Sequence, residues 1–171
     1  MKLSPLQLVH SQFTAISVIS NDVSVHVPES IETVYPPIEA KDLSIKIFLG
    51  IPDEGDDSHD FVVSVGVGNA EDTNSSLPYR FAAQIEGVFR IDHDGDPDER
   101  KRMVVVNGAS MLFGSVREQI LTITMRQKNG PMLLPSMDFR SLSEESQKNK
   151  PKRPRTSASK KMNPKRTTDT Q

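Results

Sequence analysis

The stretch Tyr79-RFAAQIEGVFR-Ile91 decides how the chain is read. Its odd positions, Tyr79, Phe81, Ala83, Ile85, Gly87, Phe89 and Ile91, are apolar or small, while Arg80, Gln84, Glu86 and Arg90 stand between them. In a β-strand successive side chains point to opposite faces, so a sustained period of two predicts a strand with one face buried and the other wet.

Toward the N-terminus the same period recurs. In Leu43-SIKIF-Leu49 the residues Leu43, Ile45, Ile47 and Leu49 fall on one face, with Lys46 and Phe48 on the other. A third strand is predicted at Phe61-VVSVGV-Gly68 and a weaker one from about Gln12 to Ile19. The turn-rich segments Pro52-DEGDDSH-Asp60 and Asn69-AEDTNSSL-Pro78 have lengths that suit hairpin loops better than parallel crossovers. The prolines of Val27-PESIETVYP-Pro37 suit an extended connection. Together these predict a four-stranded antiparallel sheet with one apolar face.

That face needs a cover, and the following chain must supply it. No proline occurs between Asp98 and Lys128, and Arg126-QKN-Gly130 followed by Pro131 is a helix-stop pattern. Met103-VV-Val106 and Ile120-LTIT-Met125 are rich in β-branched residues, and the second read alone would be a strand. From about Ser110, however, Leu112, Val116, Ile120 and Ile123 share one helical face, widened by Phe113 and Leu121. The expected fold is therefore α+β, an antiparallel sheet with one face covered by a long C-terminal helix. The apolar, proline-broken segment Met132-LLPSMD-Phe139 is expected to pack back on this body.

Composition limits the rest. A chain of 171 residues with 35% hydrophobic residues is long enough for one domain with a real core and too short for two. The absence of cysteine excludes disulfides, thiolate metal sites and cysteine nucleophiles. Ser, Pro, Gln and His interrupt the N-terminal segment, and no run approaches the roughly 18 apolar residues of a membrane span, so a soluble, cytoplasmic protein is expected. From Lys148 to Gln171 nine Lys or Arg face one Asp, a net of +8; the remaining twelve basic and twenty-two acidic residues give residues 1–147 a net of −10. Residues 143–171 are therefore expected to be a disordered basic tail behind a domain of residues 1–142. The tail has three open readings: a solubilising extension, an electrostatic contact to nucleic acid or another acidic partner, and an import-like cluster at Pro151-KRP-Arg155.

Three motifs in order carry a resemblance. Gly87-VFR-Ile91, Met111-LFGSVR-Glu118 and Gly130-PMLLPSMD-Phe139 resemble the strand, helix and Leu-x-Pro-x-x-x-Phe signatures of SecB-type chaperones, closely over residues 79–142. The resemblance implies a cofactor-free holdase that binds unfolded or precursor polypeptides in apolar grooves. It also implies a homo-oligomer, a dimer of dimers, in which the Met111, Leu112, Phe113, Arg117 and Glu118 helix lies near the interface. Apolar residues left over once the core is filled are then the candidate polypeptide contacts: Phe48, Val62, Met132, Leu133 and Leu134. Core or dimer packing is the competing reading for each. Two departures stand out. Gly114 and Ser115 replace the Pro-Tyr that usually continues the helix motif, and the expected outer sheet face carries Lys46, Arg80 and Arg90 beside Glu86. Export members present an acidic face there to the translocation ATPase. Some SecB-like proteins instead stabilise one client, an antitoxin.

No catalytic signature is present: there is no Gly-x-Ser-x-Gly elbow or Walker loop, and His10, His26, His59 and His93 lack metal-ligand spacing. Asp92-HDG-Asp96 begins like a calcium loop, yet Pro97 and Met103 stand where the loop needs its glycine and its bidentate glutamate. No metal, cofactor or catalytic residue is expected. The acidic stretch reads as a turn, made by Gly95 and Pro97, leading into a helix that Asp98 and Glu99 favour.

Overall fold

The computed structural model describes residues 3–22, 38–50, 59–70 and 77–141. Four strands, β1 (Leu6–Ser20), β2 (Leu43–Gly50), β3 (Asp60–Asn69) and β4 (Tyr79–Ile91), precede one helix, α1 (Pro97–Thr124). They form a single antiparallel sheet in the order β1-β4-β3-β2. The chain thus meanders through β2, β3 and β4, and β1 pairs with the far side of β4.

Strand β4 is central and alternates as its sequence requires. Tyr79, Phe81, Ala83, Ile85, Phe89 and Ile91 are buried, while Arg80, Ala82, Gln84 and Arg90 are exposed. Phe61, Val63, Val65 and Val67 of β3 continue the buried face, and Leu43, Ile45, Ile47 and Leu49 of β2 lie at its margin.

The helix starts at Pro97, where the acidic residues Asp98 and Glu99 favour a first turn, and the part before Ser110 is continuous with the rest. Asp96 is its N-cap, Pro97 occupies the first turn without losing a useful donor, and Asp98 and Glu99 face the positive end of the helix dipole. Val104 is fully buried, so the Val104–Val106 run, whose local preference is for strand, is helical because its position over the sheet buries it. At the other end Ile123 is only half-buried, and Thr124 takes the core position expected of it.

Two glycines set how closely α1 sits on the sheet. A Cβ at Gly87 would lie 2.9 Å from Leu112 Cδ2, and one at Gly108 would lie 3.2 Å from both Phe89 Cε2 and Val63 Cγ2. The Gly-x-Phe-x-Ile pattern of β4 therefore has a packing reason: Gly87 leaves room for Leu112, and the Phe89 ring fills the space under Gly108.

The helix ends in a network that binds it to the sheet. Tyr79 Oη donates to the Gly130 carbonyl at 2.6 Å, and Asn129 Nδ2 donates to the carbonyls of Asn21 and Pro78. Gly130 has φ +77°, a conformation open to glycine at little cost. Met132 N–H donates to Thr124 Oγ1 at 2.9 Å. The chain then runs back along α1, with Phe113 and Phe139 in an edge-on contact at 5.6 Å. The basic tail, the Val27–Pro37 connection and most of both predicted hairpin loops lie outside the described residues.

Candidate functional site

Because one sheet face is closed by α1, functional surface must be sought on the other face and at the edges. The strand registers place Phe48, Ser64, Glu86 and Gln12 in one row across the outer face, with Gly50, Val62, Val88 and His10 in the next. Phe48 is 67% exposed and Val62 and Val88 are half-buried. A diagonal neighbour on an antiparallel sheet is within reach of an aromatic side chain, so Phe48 and Val62 with Val88 form one apolar patch. Val88 stands between Gly87 and Phe89 on a strand whose apolar signal lies on the buried face, so the period of two does not single it out.

The other nominated contacts are placed differently. Met132 and Leu134 are fully buried in the core, so they are not left over once the core is filled. Nothing local says which side of a short proline-broken segment turns inward, and here it is Met132 and Leu134 that do. Leu133 is half-buried, in a segment that packs with α1 and is therefore separated from Phe48 and Val62 by the sheet.

Within the helix motif, Leu112 and Phe113 belong to the core, whereas Met111 is 42% exposed and Glu118 is exposed. Arg117 Nε donates to the Leu134 carbonyl, tying the returning segment to the helix. A groove of about 380 Å³ between β1 and α1 is lined by Ser11, Gln12, Phe13, Ser115, Glu118 and Thr122, among others.

Strand β1 is the longest of the described strands. It runs from Leu6 to Ser20, well beyond the weak strand near Gln12, and two register shifts leave Val9 and Thr14 as extra residues. Those bulges break the period of two, so the sequence pattern of β1 is weaker than that of the other strands. β1 is an edge strand, and Leu8, Val9, Ile16 and Ile19 are all exposed.

The outer face is less cationic than its sequence implied. Arg90 makes a two-pronged bond to Asp60 at 2.8 and 2.9 Å, and that hydrogen bonding holds the Asp60 carboxyl below its ordinary range. Lys46 and Arg80 are exposed and make no ion pair among the described residues.

The profile of one protein family, described as preprotein translocase subunit SecB, matches residues 7–150. The chain belongs to the SecB family. No curated protein sequence matches it. Among solved structures, a SecB-like chaperone of Mycobacterium tuberculosis, in complex with a ChAD peptide from the HigA1 antitoxin, is similar with a TM-score of 0.48 at 12% identity, over 78% of this chain and 88% of that one. A protein of unknown function from Streptococcus agalactiae gives 0.48 at 11% identity over 76% and 96%. Against the SecB helix motif, this member's Gly114 is open, with nothing within 4 Å of a Cβ built there, and Ser115 faces the β1–α1 groove. No helix among the described residues is long and apolar enough to cross a membrane.

Proposed function

We propose that this SecB-family chain is an ATP-independent holdase that binds unfolded or precursor polypeptide through apolar surface outside its core. The observation that carries the reading is the Phe48, Val62 and Val88 patch on the sheet face that no part of the described chain covers. Apolar patches on an otherwise charged surface mark interaction sites, and the net negative body keeps such a carrier soluble. Leu133 is a secondary contact on the helix side. No chemistry and no cofactor is required.

Self-association belongs to the same proposal. A long edge strand presents unpaired backbone donors and acceptors, and β1 adds Leu8, Val9, Ile16 and Ile19 to that edge. Pairing through β1 would cover both in a dimer, the first step toward a dimer of dimers. Docking on a translocation ATPase is disfavoured by Lys46 and Arg80 on the outer face, which supports a dedicated client, such as an antitoxin, over general export. Nucleic-acid binding through the tail is the rival of a different class.

The test is suppression of light scattering by a chemically denatured, slowly refolding client. The full chain is expected to suppress it near stoichiometric amounts, with Phe48→Ser several-fold weaker at unchanged melting temperature and removal of residues 148–171 without effect. Absence of suppression for several unrelated clients refutes the holdase reading. Equal suppression by Phe48→Ser refutes the patch. Salt-sensitive oligonucleotide binding that disappears with the tail favours the rival.

A further inference from the structure

Beyond the apolar patch, the other half of the outer sheet face has a different character. The registers put Ala15, Gln84, Gly66 and Lys46 in one row and Ser17, Ala82, Gly68 and Ser44 in the next. Glycine, alanine and serine at the centre lower the surface between the longer side chains of Lys46, Arg80 and Gln84, leaving a recess of about 620 Å³.

The geometry points to this recess as a docking site for an extended acidic segment of a partner protein. Charge complementarity carries the choice. Residues 1–147 carry a net of −10, twelve basic against twenty-two acidic residues, and elsewhere on the described surface Lys41, Arg90, Lys128 and Arg140 each lie against an acid. Lys46 and Arg80 do not, nor do the exposed Arg102 and Arg126 of the helix side, but Lys46 and Arg80 stand together on the rim of one recess. Two acids lie near in register: Glu86, one row beyond Gln84, and Asp42, whose carbonyl accepts from the Ala70 N–H at the recess and whose carboxylate is taken up by the Glu39 N–H.

The shape selects peptide over polynucleotide. A floor of glycine and alanine lets a backbone lie close and offers no exposed aromatic ring on which a base would stack. Two cations are also few for a polyanion, whose binding grows with each phosphate neutralised. Lys46 and Arg80 are two strands and about four residues apart in register, roughly 17 Å. An extended segment spans that distance in about five residues, and only an even spacing puts both side chains on the face that meets the recess, so the ligand has two carboxylates about four or six residues apart with small residues between. The site is separate from the Phe48 patch and does not depend on the holdase reading.

The experiment uses the full chain and a fluorescent peptide with two glutamates separated by three or by five Ala or Ser residues, so that both lie on one face of the extended chain, read by anisotropy at low salt. The Glu-to-Gln peptide is expected to bind at least tenfold more weakly. The Lys46→Glu, Arg80→Glu double variant should lose the Glu peptide by at least the same factor. Gly66→Val should lose it too, by filling the recess; a Cβ there meets only Lys46, at 3.9 Å, an ordinary contact that leaves the fold intact. An unchanged affinity in the double variant, which keeps the basic tail, would assign the peptide to the tail and overturn the proposal. So would no binding by the parent protein at millimolar peptide, or an oligonucleotide bound more tightly than the peptide and lost in the same variants.

Discussion

Replacing Gly114 and Gly108 separately by alanine tests how α1 is seated, because both lie inside the same helix but in opposite surroundings. A Cβ at Gly114 meets nothing within 4 Å, whereas at Gly108 it meets Phe89 Cε2 and Val63 Cγ2 at 3.2 Å and Phe89 Cζ at 3.3 Å. Alanine gains about 1 kcal/mol over glycine in a helix interior, and that gain is common to both variants. At Gly108 it is opposed by overpacking, typically about 1–3 kcal/mol, since Phe89 and Val63 are themselves fully buried and have little room to yield. Gly114→Ala should therefore stabilise by about 1 kcal/mol. Gly108→Ala should range from neutral to about 2 kcal/mol destabilising once the shared gain is subtracted from the overpacking. The difference between the two isolates the packing contribution, because the helix propensity cancels. For a chain of this size each kcal/mol moves the melting temperature by roughly 2–4 °C, so calorimetry and denaturant midpoints both read the contrast. Equal stabilisation by the two substitutions would refute the close seating of α1 over Phe89.

Two further outcomes follow from the network at the end of α1. Thr124→Val keeps the shape but leaves the buried Met132 N–H without its acceptor, which should cost about 1–3 kcal/mol and speed hydrogen exchange at the Met132 amide; unchanged stability and exchange would remove Thr124 from that role. Tyr79→Phe should cost about 1 kcal/mol at neutral pH through loss of the bond to Gly130. Burial also raises the Tyr79 phenol above its ordinary value of 10.0. The unfolded chain therefore ionises first, and stability fully present below pH 10.0 falls as pH rises through the raised value. The gap between parent and variant should accordingly narrow above pH 10.0, and a constant gap in alkaline melting curves contradicts the assignment.

The candidate surface was partly legible in the sequence for the same reason as the strands. Phe48 and Val62 fall on the outer face because a period of two fixes which side a residue takes, whatever the sheet packs against. Met132 and Leu134 were not legible, since in a short irregular segment no period distinguishes the buried side from the open one. Arg90 looked like an outer-face cation until the β3–β4 register set Asp60 beside it.

By itself the sequence determined β2, β3 and β4, the stop after α1, the acidic turn before it, and the SecB motifs, because each is written in local period, turn chemistry or residue order. Only the tertiary structure decided that α1 runs unbroken from Pro97 through Val104–Val106, that β1 runs from Leu6 to Ser20 along β4, and that Arg90 on the outer face is paired with Asp60. Those features depend on what lies across from each residue: burial against the sheet overrides the strand preference of Val104–Val106, and β4 as a pairing partner holds the bulged β1 extended where its own alternation fails.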